Sequence, residues 1–254
     1  MRWAARALLA PLSFALSSLC GAGVAEALEA GAGLLWWQYE EIASDTRYTG
    51  APFHSRAEQV ALRLCVQEGA VGDDGWGWSS TLSSIVPLLR ATEHWPRADF
   101  LQTNDLRIGQ LDGRLTLRRT LQQGEVGLFA AARWQQQARE RFRKNGAPLP
   151  DPLITETIRS LWAGLLFASR RLEIRAALPL WVRTRNSSIP NTFRNRRGYR
   201  AGASLHLPLA QWLAMPLHLR AAYRIQQFAG EAQTTALWPK NRFQTLSLAV
   251  EGRW

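Results

Sequence analysis

Apolar and polar residues alternate with a period of two over long stretches of this chain. The pattern is clearest in residues 171–185, where the apolar face carries Leu172, Ile174, Ala176, Leu178, Leu180 and Val182. The opposite face is rich in arginine and includes Arg183 and Arg185. A helix would spread those arginines around its circumference, whereas a β-strand places them on one face. The alternation therefore predicts a strand. Three further segments show the same pattern: 56–67, 217–228 and 242–254.

When strands are assigned only from the two-residue alternation of apolar and polar residues, the chain contains ten predicted strands. They cover about 33–42, 57–68, 76–89, 106–121, 125–141, 154–168, 171–186, 198–209, 215–228 and 242–254. Short and long links alternate between them, and an even number of strands puts both ends on the side of the short links. A soluble β-sandwich also alternates, but strands of about ten or more residues can cross a bilayer when tilted. The prediction is an all-β, transmembrane, antiparallel up-and-down β-barrel.

The first residues resemble a secretory signal peptide. Two arginines lie in 1–6, an uncharged apolar stretch covers 7–19, and small residues follow up to Ala25 and Ala27. A basic region, a short apolar region and an A-x-A-like site are typical of a cleaved export signal, and the apolar region is too short to span a bilayer. We therefore expect a signal peptide at 1–27 and a barrel domain at 28–254. Cleavage would leave one cysteine, Cys65, which the alternation places facing the lumen.

Composition excludes several other classes of protein. The chain has 254 residues, 46% of them hydrophobic, and 31 Lys+Arg against 20 Asp+Glu give a net charge of +11. A polytopic helical membrane protein needs several uncharged apolar runs of ~20 residues, and a disordered chain has fewer apolar residues. A basic chain often binds nucleic acid. An exported chain embedded in a membrane does not meet nucleic acid, so we expect no such partner.

Together these features resemble the Gram-negative outer-membrane β-barrel proteins. The ending LSLAVEGRW is similar to the last strand of that group, which the barrel-assembly machinery reads as an assembly signal. The residues that match that signal are Leu246, Leu248, Val250 and Trp254. Gly252 departs from the pattern. The resemblance implies an outer-membrane location and the assembly machinery as a partner, but no particular activity.

The predicted lumen is rich in charge. The residues assigned to it are Arg63, Arg114, Arg118, Arg133, Arg175, Arg220, Arg224, His206, His218, Glu173 and Glu251, and the alternation also turns Arg183, Arg185, Arg200 and Arg253 inward. A buried charge must be paired or hydrated. The first interpretation is therefore a plug of Arg–Glu pairs that braces the wall. The second is a small passage that favours anions, because rings of arginine do so.

A second group of arginines is predicted at the outer rim. It comprises Arg141, Arg143, Arg194, Arg196 and Arg197. Guanidinium groups bind phosphates with two hydrogen bonds, so these residues are candidates for contact with outer-membrane lipid and lipopolysaccharide. Solvated loop charge is the alternative.

No complete catalytic set is visible in the sequence. His54, His94, Asp99 and Asp105 are the residues that a lipid- or peptide-processing enzyme could use at the outer rim, but no triad is complete. Zinc, redox, phosphate-loop and EF-hand motifs are absent, so we expect no metal and no cofactor. The expected function is a non-enzymatic small pore or envelope scaffold.

The last internal hairpin allows a prediction of register. If the strands 198–209 and 215–228 pair residues whose numbers sum to 424, His206 lies opposite His218 and Arg200 lies opposite Arg224. Two facing imidazoles at one end of the lumen could bind a metal or share a hydrogen-bond network with water. The network is the favoured alternative, because two histidines lack the remaining donors of a structural zinc site.

Overall fold

The computed structural model describes residues 27–43, 53–96, 101–150, 153–194, 197–212, 215–233 and 236–253. The expected signal peptide lies, except for its last residue, outside the described residues. Asp99, Arg196 and Trp254 also lie outside them. In the described part of the chain, no helix is long and apolar enough to cross a membrane.

The described residues form fifteen strands. They are β1 (Ala27–Ala43), β2 (Phe53–Val71), β3 (Trp76–Pro87), β4 (Ala91–Pro96), β5 (Leu101–Leu121), β6 (Gly124–Lys144), β7 (Ala147–Pro148), β8 (Ile154–Ala168), β9 (Leu172–Asn186), β10 (Ile189–Arg194), β11 (Gly198–Trp212), β12 (Met215–Phe228), β13 (Glu231–Gln233), β14 (Ala236–Trp238) and β15 (Lys240–Arg253).

Ten antiparallel strand positions close into a ring, which confirms the predicted barrel. Their order is β1, β2, β3 with β4, β5, β6, β8, β9, β11, β12 and β15. The ring closes because β1 pairs with β15 along its length, from Glu29 opposite Arg253 to Ile42 opposite Lys240. Closure pairs each strand of the ring with two neighbours, although β9 and β11 pair only from Leu172 opposite Leu205 to Ala177 opposite Arg200. The short strands β7, β10, β13 and β14 are additions beyond the ring.

Strands β3 and β4 share one position in the ring. The predicted strand 76–89 ends at Pro87, and the chain resumes pairing with β5 at Ala91. Both strands end on a proline, β3 at Pro87 and β4 at Pro96. Proline has no backbone N–H to donate, so it suits positions where the pairing of a strand stops.

The barrel has two different ends. At one end, tight turns join the strands, as at 72–75 and 122–123. We call it the short-turn end. The other, the long-loop end, carries the connections between β1 and β2 and between β6 and β8.

The outer face is apolar around the middle of the barrel. Leu115, Leu128, Leu165 and Leu178 each expose 61–66% of their surface. Soluble monomers rarely expose large contiguous apolar patches, whereas an apolar outer band is typical of transmembrane barrels. Along the last strand, exposed Leu246, Leu248 and Val250 alternate with buried Thr245, Ser247 and Ala249. The orientation predicted for that strand is confirmed.

The prediction that Arg183 and Arg185 face the lumen is wrong. Trp162 pairs with Pro179 and Leu161 with Trp181, so Leu180 is an extra residue in β9. An inserted residue reverses the phase of every residue after it. As a result, Val182 and Thr184 are fully buried and the two arginines are exposed on the outer wall.

The predicted pairing of His206 with His218 is also wrong. His206 lies opposite Arg220 and His218 lies opposite Pro208, so the residue numbers sum to 426. Trp212 lies opposite Met215 and so belongs to β11 rather than to the centre of the link, and an irregularity between Pro208 and Ala210 absorbs one residue. For the same reason Arg200 lies opposite Gln226, and Arg224 lies opposite Gly202.

Candidate functional site: the charged lumen

Aromatic and aliphatic side chains fill part of the barrel interior. Trp37 and Trp162 are fully buried. The Trp37 ring lies 6.0 Å from the ring of Phe243, and the Trp162 ring lies 5.5 Å from that of Phe228. These residues anchor two apolar clusters on different parts of the wall. The lumen is therefore not a uniformly polar channel.

Near the long-loop end, one arginine holds three glutamates, and we call this group the Arg139 cluster. Arg139 Nε donates to Glu93 Oε2 at 2.7 Å, Nη2 to Glu41 Oε1 at 2.8 Å and Nη1 to Glu156 Oε2 at 3.2 Å. All four side chains are buried. The planar guanidinium fork suits such multiple pairing.

Further contacts complete the Arg139 cluster. Ser55 Oγ and Asn104 Nδ2 each donate to Glu93 at 3.0 Å, and the Tyr39 hydroxyl donates to Glu41. The guanidinium carbon of Arg139 also lies 5.8 Å from the centre of the Tyr39 ring and 5.7 Å from that of Trp95. Cation–π contacts of this kind stabilise a buried cation.

Asp112 organises the middle of the lumen. Arg133 Nε donates to its Oδ2 at 2.8 Å, and Arg200 Nη2 donates to the same oxygen at 2.7 Å. Arg133 also donates to the side-chain oxygen of Gln226. One carboxylate thus serves two guanidinium groups, which leaves excess positive charge at this level.

Toward the short-turn end, Arg220 joins two acids. Its Nη2 lies 3.1 Å from Glu173 Oε1, and its Nη1 lies 3.2 Å from Glu251 Oε1. Glu173 also pairs with Arg175, and Glu251 pairs with Arg63 at 3.5 Å. Each acid again serves two arginines.

At the short-turn end itself, a hollow of about 380 Å³ opens into the lumen. His206 and His218 both line it, and Arg118 pairs with Glu125 at 3.1 Å beside them. His206 lies 3.3 Å from the hydroxyl of Ser204. Among the described residues, no group of three or more His, Cys, Asp and Glu side chains could hold a metal ion.

Of the residues assigned to the lumen from the sequence, eleven and Arg200 lie on the inner face, and Cys65 is buried there too, whereas Arg183 and Arg185 lie on the outer wall. The sequence did not single out the Arg139 cluster or Asp112. A signal existed, because Arg139 shares the inner phase of Arg133 on β6, and Asp112 shares that of Arg114 on β5.

The arginines predicted at the outer rim differ from one another in their contacts. Arg141 and Arg143 lie 3.6 and 4.0 Å from the carboxylate of Asp105, while Arg194 and Arg197 are exposed. Both arginines are largely exposed and long in their contacts, so each pair contributes little, although Asp105 itself is mostly shielded from solvent.

The structure adds an arginine pair that the sequence did not indicate. Arg159 and Arg183 lie opposite each other on β8 and β9, and both are exposed on the outer wall. Trp134 is the register partner of Arg159 on β6. Beside them lies a hollow of about 730 Å³, where small residues leave room between larger ones. Its lining includes Gly113, Ala130, Ala132, Leu111, Leu115 and Leu161.

The structure does not bring the described candidate catalytic residues, His54, His94 and Asp105, into contact with one another. His54 and His94 are exposed on the outer wall. Asp105 contacts Arg90, Arg141 and Arg143. No hydrogen bond or ion pair among the described residues joins Asp105 to either histidine.

A closed antiparallel barrel with an apolar outer band and a charged interior defines a transmembrane β-barrel. A comparison with solved structures leads to the same class of fold. The chain aligns with the outer membrane protease OmpT from Escherichia coli at a TM-score of 0.57, over 92% of this chain and 99% of that chain, with 7% sequence identity. This chain thus has the fold of the Gram-negative outer-membrane β-barrels.

Other comparisons add little to that conclusion. The translocator domain of the autotransporter NalP from Neisseria meningitidis aligns over 99% of this chain and 97% of that chain, with 10% identity. Its TM-score of 0.42 is too low to support an argument. No family model and no curated protein matches the sequence. An identity of 7% shows a shared fold and does not extend the protease activity to this chain.

Proposed function

We propose that this protein lies in the outer membrane of a Gram-negative cell as a non-enzymatic envelope scaffold with a closed lumen. The observation that carries the proposal is the Arg139 cluster, which occupies the interior near the long-loop end with four buried charged side chains. In this orientation the long loops face outward and the short turns face the periplasm. The barrel-assembly machinery would insert the chain by way of β15.

A closed lumen is favoured over a passage by size and by packing. A barrel of about ten strands is only slightly wider than one that its own side chains fill. Here both charged and aromatic side chains point inward, and Trp37 and Trp162 are fully buried. An anion-favouring pore would need a continuous water-filled path past these residues.

Conductance distinguishes the scaffold from the pore. Folded protein, verified by its altered electrophoretic migration on heating, should produce no discrete current steps in planar bilayers, because buried side chains fill the lumen. Reproducible anion-biased steps from the folded protein would contradict the closed lumen and support the pore.

The exposed arginine pair supports a contact with lipopolysaccharide. Arg159 and Arg183 lie where outward apolar residues give way to polar ones such as Gln136 and Glu140. Neither guanidinium pairs with an acid among the described residues, and the nearby Glu140 pairs instead with Arg90 and Arg107. A lipid phosphate would pair with both arginines, and an acyl chain would lie in the adjoining hollow. These two residues fit the role better than the predicted Arg141 and Arg143, which already face Asp105.

Binding of lipopolysaccharide tests this contact. The double variant Arg159→Gln/Arg183→Gln should bind it about 25-fold more weakly, since each basic residue near a charged lipid surface contributes about 1 kcal/mol. The control Arg119→Gln/Arg170→Gln removes the same charge at the short-turn end and should bind normally. Equal losses in the two double variants would show a general charge effect and contradict a specific contact.

A further inference from the structure

A small cavity lies in the middle of the lumen, and five arginines line it beside small and apolar residues. Its volume is about 40 Å³. The charged residues around it are Arg114, Arg175, Arg200, Arg220, Arg224 and Glu173. So dense a group of like charges is unfavourable unless other negative charge lies among them.

The described acidic side chains do not neutralise the positive charge of these arginines. On the inner faces around the cavity, seven arginines accompany three acids, a net charge of +4. The arginines are Arg63, Arg114, Arg133, Arg175, Arg200, Arg220 and Arg224, and the acids are Asp112, Glu173 and Glu251. Each of the three acids already serves two arginines.

Two arginines have no carboxylate partner among the described residues. Arg114 donates from Nη2 to the hydroxyl of Thr81 at 2.8 Å, which is a neutral acceptor. Arg224 is half-buried, lines the cavity, and makes no ion pair within the described part of the chain. Its register partner is Gly202, which offers no side chain.

Several buried guanidinium N–H groups around the cavity also have no acceptor. They are the Nε groups of Arg63, Arg114, Arg175 and Arg220, and Nη1 of Arg200. A buried donor without a partner costs free energy comparable to a lost hydrogen bond. Water could accept these hydrogen bonds, but water cannot offset the net positive charge.

We propose that this cavity binds a small inorganic anion of the size of chloride, held chiefly by Arg114 and Arg224. One water-sized particle needs roughly 10–15 Å³ on the same measure of volume, so the cavity holds about three such particles. That space fits chloride or bromide with one or two waters and excludes sugars, nucleotides and lipids. The anion supplies the negative charge that the three acids do not.

Bromide locates the site directly. Crystals of the unmodified protein grown in sodium bromide should show an anomalous peak in the cavity, within contact distance of Arg114 and Arg224. The absence of such a peak at saturating bromide would overturn the proposal. This measurement needs no variant and does not depend on whether the lumen conducts.

Thermal unfolding in detergent measures the binding. At constant ionic strength, sodium chloride should raise the Tm above that in sodium gluconate, because gluconate is too large for the cavity and binding to the folded state stabilises it. In Arg224→Gln, the chloride concentration for half of this effect should rise at least about tenfold, since a charge-assisted contact is lost. The exposed control Arg119→Gln should respond as the unmodified protein does.

The same variant separates an anion site from a purely structural role. In gluconate, Arg224→Gln should be at least as stable as the unmodified protein, because it removes an uncompensated charge. A variant that loses stability equally in both salts would show that Arg224 only braces the wall, and would contradict the proposal.

Discussion

Arg139→Met should destabilise the barrel by about 3–5 kcal/mol, because it leaves Glu41, Glu93 and Glu156 buried without their common cation. Methionine keeps much of the length of the side chain, so lost packing contributes little. Urea unfolding in detergent micelles or liposomes measures the change in the free energy of unfolding.

Two further variants separate the loss of buried charge pairing from a general effect of removing an arginine. Arg107→Met breaks a half-exposed pair with Glu140, in which the two groups lie 3.1 Å apart, and should cost no more than about 1 kcal/mol. Adding Glu41→Gln to Arg139→Met should recover part of the loss, since one unpaired charge disappears. If Arg139→Met unfolds like the unmodified protein, the three carboxylates are not held together as charged groups by this arginine.

The barrel could be predicted from the sequence because one signal, the period of two, determines both strand identity and facing. Leu246, Leu248 and Val250 are exposed and alternate with buried Ser247 and Ala249, as the pattern indicates. Long strands tolerate errors in their boundaries, because an error of a few residues leaves the phase unchanged. For this reason the inner face was assigned without knowledge of any contact.

The predicted facing of the side chains is wrong where one extra residue is inserted into a strand. Leu180 has no partner on β8, and the face assignment is reversed from Trp181 onward. Apolar residues on both sides of the insertion hide it, since Leu180 and Trp181 are both acceptable on an apolar outer wall. Only the polar residues that follow, such as Thr184, could have revealed the change, and a threonine suits either face.

The Arg139 cluster lay beyond sequence analysis for a different reason. Glu41, Glu93, Arg139 and Glu156 come from β1, β4, β6 and β8, and most of them meet across the lumen rather than along neighbouring strands. Strand pairing fixes neighbours in the wall, but contacts across the interior depend on the curvature of the whole ring. Periodicity carries no information about that curvature.

Leu248→Arg should destabilise the folded protein in membranes by about 2–4 kcal/mol, the cost of an arginine on the lipid face near the bilayer midplane. Leu248 is 54% exposed and lies between Leu34 on β1 and Ala221 on β12, both on the outer face. No polar side chain at those two positions can pair with the new charge. Unfolding by urea in liposomes measures the loss.

A second leucine supplies the matched control for the membrane itself. Leu153 is 58% exposed, but it precedes β8 at the long-loop end, outside the apolar band. Leu153→Arg should change the stability by no more than about 0.5 kcal/mol, as exposed substitutions in water usually do. Because the two leucines are equally accessible, only the surrounding medium distinguishes them. Similar small effects at both positions would mean that the apolar band does not contact lipid, and the outer-membrane location would then be wrong.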